Sequence, residues 1–217
     1  MFDLSPAMQG FLAGSAAIGT PLLANFLKEL WFDRRKRKAE RAYICIQLVF
    51  LLDKFVARCA DVAWDRGYDP SMPEPDDQEL QDQTKIPVFD MSSVEGEYKY
   101  LKPQMLARLH TIEIKLNQVH EELYRDEVDW CGERWKHYEL RRELYADVGL
   151  YVADIANDIR QEFDIDQSDD WNPAKRIKKS KKDLHKIKTE RIKRKEQRKA
   201  DRERQQLDDE QQKSLSL

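Results

Sequence analysis

Glycine and proline are scarce in this chain, at 7 and 8 of 217 residues. No Asn-Gly or Asp-Gly pair occurs, and no segment alternates apolar and polar residues far enough to make paired strands. Hairpin-built sandwiches and barrels are thereby excluded. The three cysteines, Cys45, Cys59 and Cys131, form neither a metal-binding spacing nor an even disulfide set. Cys45 and Cys59 fall on one predicted helix about 21 Å apart, too far for a bridge. They read as free thiols in a reducing compartment.

Chemistry-bearing motifs are missing as well. There is no G-x-G-x-x-G, P-loop, G-x-S-x-G or H-E-x-x-H. The four histidines are scattered. His110, Glu113, Asn117, His120 and Glu121 share one side of a helix, but metal sites in bundles need inward carboxylates with repeated Glu-x-x-His pairs. This line flanks an apolar stripe and reads as a solvated face. The expectation is a non-enzymatic protein with no cofactor, no metal and no small-molecule substrate. No motif is distinctive enough to carry a family resemblance.

What is present is charge and helical periodicity: 36% of residues are charged and 41% hydrophobic. The composition points to an all-α protein. Residues 1–33 form an N-terminal segment whose stretch 7–27 has no charge and is long enough to span a bilayer as a helix. Gln9, Pro21 and Asn25 dilute it. Its lead has Asp3 and no cation, unlike a cleaved signal. The cations Arg34, Arg35, Lys36, Arg37 and Lys38 follow it, so a spanning segment would leave the N-terminus outside and the rest cytoplasmic. Trp31 and Phe32 would sit at the headgroups. Gly10 and Gly14 have the spacing of close-packed membrane helices, although such spacing is common in any Ala/Gly-rich stretch.

Beyond this segment the pattern divides into four parts. Residues 34–68 hold a first amphipathic helix with a polybasic start, its stripe being Ile44, Leu48, Leu51, Phe55, Cys59 and Val62, widened by Ile46, Val49, Phe50 and Leu52. Residues 69–100 are an acidic, Pro-containing loop, expected to be weakly ordered between Asp69 and Lys85. Residues 101–170 form a helical hairpin with stripes Met105–Leu109–Ile112–Leu116–Val119–Leu123 and Tyr138–Leu144–Val148–Tyr151/Val152–Ile155–Ile159–Phe163. Trp130, Trp135, Tyr138, Tyr145 and Tyr151 read as core aromatics. Three such stripes predict an antiparallel bundle of about three helices. Residues 171–217 are a charged tail, with Asn172 as candidate N-cap before Pro173.

Charge is segregated. Residues 1–174 hold 21 Lys and Arg against 33 Asp and Glu, whereas 175–204 hold 16 against 5. Ile177, Leu184, Ile187 and Ile192 are too few and irregular for a coiled coil, so the tail reads as a basic helix or a disordered extension. Its candidate polyanion contacts are Lys175, Arg176, Lys178, Lys179, Lys181, Lys182, Lys193, Arg194 and Lys195, alongside Arg34–Lys38. Anionic lipid, nucleic acid, a protein partner or a second copy of the chain are the partner classes that such charge admits. The leading expectation is a single-pass membrane-associated interaction or assembly protein whose tail lies near the same anionic surface as Arg34–Lys38. The second is a soluble nucleic-acid-associated protein that binds phosphates through 175–204, with residues 7–32 completing the bundle.

Overall fold

The apolar stripes become buried faces. Ile44, Leu48, Phe55, Cys59 and Val62 are all at most 2% exposed, as are Leu109, Ile112, Ile155 and Ile159. The computed structural model describes residues 6–73, 75–128, 133–167 and 171–215, with side chains described throughout except at 6–26, 78, 127–128, 203 and 205–215. Among the described residues the elements are α1 (Pro6–Trp64), α2 (Pro103–Val128), α3 (Arg134–Phe163) and α4 (Pro173–Leu215), with no strand. The chain is an all-α helical bundle.

Side-chain pairs set the topology. Arg41 meets Glu162, Asp53 meets Arg160 and Asp65 meets Arg141, so α1 and α3 are antiparallel. Arg108 meets Asp158 and His137 meets Asp126, which makes α2 antiparallel to α3. α4 runs against α3 through Lys181–Asp147, Lys188–Glu143 and Arg191–Glu139, and parallel to α1 through Arg176–Asp61. α3 is the central helix, packed on by all three others. Gly149 sits where three helices cross. A Cβ there would stand 2.6 Å from Ile177 Cδ1 and 2.8 Å from Cys59 Cβ, so only glycine lets them approach so closely.

Four expectations change. The bundle has four helices rather than about three, because the first half of the tail packs: Ile177 is 0% exposed and Leu184 is 4%. Ile177, Ser180 and Leu184 are three and four residues apart, enough for one short inward face although not for a coiled coil. Second, the N-terminal segment and the first core helix are one helix, and residues 34–38 lie inside it rather than at a break. Third, of the residues expected to complete the bundle, 27–32 do not pack on it, and the side chains before them lie outside the described residues. Residues 27–39 are exposed throughout, and α4 occupies the fourth position. Fourth, Ile46 and Phe50 face outwards at 43% and 70% exposure, on the side of α1 opposite its core.

The acidic loop is tied down. Leu80, Phe89, Val94 and Leu101 are buried, and three short 3-10 turns at Asp77–Glu79, Met91–Ser93 and Tyr98–Tyr100 pace it. Asp77 caps α3, accepting from Arg134 N at 2.7 Å and Trp135 N at 2.9 Å. Asn172 caps α4 as expected, accepting from Lys175 N at 2.9 Å. Asp164, at φ 53°, ends α3 in the left-handed conformation.

Candidate functional site

The two basic segments leave opposite ends of the bundle. Arg34–Lys38 are exposed on α1 just before it meets α3 at Glu162. The far part of α4 departs beyond Glu139, near the start of α3. From Glu139 to Glu162 is about 35 Å of helix. The tail therefore does not lie beside Arg34–Lys38, because α4 runs parallel to α1 and continues past its end.

At the α1 end, Leu27, Leu30, Trp31 and Phe32 are 61%, 40%, 57% and 52% exposed. Arg35 lies 5.4 Å from the Trp31 ring centre and Lys28 5.9 Å from that of Phe32, while Arg37 pairs with Asp33 at 2.5 Å. Among the described residues no helix is long and apolar enough to cross a membrane. The side chains of most of the expected span, 7–26, and of Gly10 and Gly14 lie outside the described residues.

At the α4 end the predicted cations fall into two groups. Arg176 is held by Asp61 at 3.0 Å and Lys181 by Asp147. Lys175, Lys178, Lys179 and Lys182 are exposed beside the packed face. Lys188 and Arg191 each reach a carboxylate of α3 at 2.6 Å, so much of the charge in this half neutralises the acidic body. Beyond them, Lys193, Arg194 and Lys195 are exposed, and from Ile192 onwards the described side chains of α4 are all exposed.

Between these halves lies a polar network that the sequence reading missed. Asp65 accepts from Gly67 N, Gln83 N, Thr84 N, Thr84 Oγ1 and Arg141 at 2.8 to 3.0 Å. Burial pushes its carboxyl up, but the Arg141, Gly67 and Thr84 hydrogen bonds outweigh that and hold it below the usual range. Arg142, 3% exposed, donates to Ala63 O at 2.9 Å and to Asp183 at 3.3 Å. Its own pKa is lowered by burial. Ser180 also donates to Ala63 O. Two adjacent arginines thus fasten the loop on one side and α4 on the other. Arg141 lies three after Tyr138 and four before Tyr145, on the stripe itself, and that position was the available signal.

The aromatics are mostly core: Tyr138 and Tyr145 are buried and Tyr151 is half-buried, whereas Trp130 lies outside the described residues. Trp135 is half-buried with Arg191 stacked 3.4 Å from its ring centre. His110, Glu113, Asn117 and His120 are exposed, as a solvated face requires, and among the described residues no group of acids, His and Cys is placed to hold a metal. Burial pushes the Cys45 thiol up to about 11 and raises Cys59 further, which leaves both without thiolate character. Cys131 lies outside the described residues. No protein-family model, curated protein or solved structure matches this chain.

Proposed function

We propose that the chain is a membrane-associated, non-enzymatic helical interaction module. The N-terminal part of α1 is its anchor, Arg34–Lys38 meet anionic headgroups, and the bundle stands on the cytoplasmic side. The observation that carries this reading is the uncovered apolar surface of Leu27, Leu30, Trp31 and Phe32, directly followed by five cations. Apolar residues on several sides of one helix call for an apolar surrounding, which the bundle does not supply. Each cation near an anionic surface adds about 1 kcal/mol. A homo-oligomer through Gly10 and Gly14 is compatible with it.

Alkaline carbonate extraction tests the anchor. The full chain stays with the membrane and a chain lacking 1–33 is released. A full chain that is monodisperse in water without detergent overturns the reading. Exposed Lys193, Arg194 and Lys195 favour a second reading, a soluble nucleic-acid-associated protein. Under it, the full chain remains in the soluble fraction and binds DNA in a salt-dependent way.

A further inference from the structure

We infer that one face of the far half of α4, together with the cleft at its base, is a binding surface for the phosphate backbone of nucleic acid. The inference rests on the second reading above, a nucleic-acid-associated protein, which it narrows to named side chains, and not on the membrane anchor. Arg191, Arg194, Lys195, Arg198 and Arg202 recur at helical spacing and share one side of the helix, on which Arg191 is held by Glu139 at 2.6 Å and the other four form the binding surface. No acid falls within that side, since Glu190, Glu196 and Asp201 lie outside its arc. Arg194, Lys195, Arg198 and Arg202 are exposed. The stripe spans about 17 Å, with neighbouring cations roughly one helical turn apart.

At its base the stripe runs into a cleft of about 550 Å³ lined by Arg66, Arg142, Arg191, Arg194 and Trp135, with Glu139 and Glu190 as its acids. Arg142 is nine-tenths buried and opens onto this cleft. Within the cleft the Trp135 ring is covered by Arg191 and both Arg66 and Arg142 are held by Asp183, so the cations offered to a phosphate are those of the exposed stripe. Arginine predominates in this stripe while lysine predominates in the packed half. Guanidinium groups match phosphate oxygens two at a time and stack on rings, which favours nucleic acid over a featureless anionic surface. A membrane holding the α1 end is also about 35 Å of helix away.

The test is fluorescence anisotropy of the full chain, in detergent if it partitions there, with a 30-nucleotide single strand and a 30-base-pair duplex across a salt series. The expected result is binding whose salt slope falls by about 3 to 4 on duplex in the R194Q/K195Q/R198Q/R202Q variant. Affinity at low salt falls at least tenfold. The K178Q/K179Q/K182Q control, altered beside the packed face, loses no more than about threefold. Equal losses in the two multiple variants would assign binding to diffuse charge and overturn the proposal. So would binding to vesicles of anionic phospholipid with none to either oligonucleotide. Circular dichroism confirms that each variant keeps its helices, since the exposed side chains support no packing.

Discussion

The two halves of α4 are both rich in cations and have opposite fates. From Pro173 to Arg191 the helix lies on the bundle, with Ile177, Ser180 and Leu184 facing inwards and Arg176, Lys181, Lys188 and Arg191 paired with acids of α1 and α3. From Ile192 onwards the described side chains are exposed. The difference is not in helix propensity, since both halves are rich in Lys and Arg and hold no Gly and no Pro beyond the first-turn Pro173. It lies in two buried aliphatic residues and one serine at the right interval. Charge alone does not dock a helix, because exposed ion pairs contribute only about 0–1 kcal/mol each.

The comparison breaks most severely at the fastening network. Arg141→Met leaves the buried Asp65 carboxylate without its cation and should cost about 3–5 kcal/mol in urea unfolding. The loop of residues 80–86, held through Asp65 and Thr84, should become protease-sensitive in the same variant. A loss below about 1 kcal/mol would show that solvent reaches this pair.

Next in size is a matched pair on the two halves. Ile177→Ala removes a fully buried side chain and should cost about 2–5 kcal/mol. Ile192→Ala, at a site 58% exposed, should stay within about 0.5 kcal/mol. Hydrogen exchange sharpens the same contrast, with slow amides around Ser180 and fast ones beyond Arg191. Equal losses would mean that the halves do not differ as described.

Acid provides a gentler probe. Asp65 has a folded pKa below its unfolded value, so its contribution is present above the unfolded pKa and is lost as pH falls through the folded one. Stability should decline on acidification below about pH 4, and Asp65→Asn, less stable at neutral pH, should flatten that decline. Among the variants that break a contact, the smallest expected effect is Lys181→Gln, which opens an exposed pair with Asp147 and should cost no more than about 1 kcal/mol.

The stripes of α1, α2 and α3 were legible because each helix buries one side against a common core, and a 3.6-residue repeat records that directly. Ile46 and Phe50 broke the pattern. They lie on the opposite side of α1, and composition alone merged two faces into one. The α4 face was missed for the converse reason: Ile177 and Leu184 are too few to outweigh the surrounding lysines in any periodicity count. Within the candidate site, Arg34–Lys38 and Lys193–Lys195 were legible as charge. Arg142 and Trp135 became part of it only when α4 packed beside them.

By itself, then, the sequence determined helix type, the cores of three helices, the Asn172 cap of α4 and the segregation of charge. These are local properties, decided by side-chain spacing and backbone preference. Tertiary structure decided that α4 joins the bundle, that Gly149 admits it, and that Arg141 and Arg142 tie loop and helix to the core. It also decided that the two basic segments leave opposite ends. The direction in which α4 runs depends on which acids and which aliphatic surface lie across from it. That is a property of residues more than a hundred positions away, such as Asp61 beside Arg176, and no local pattern encodes it.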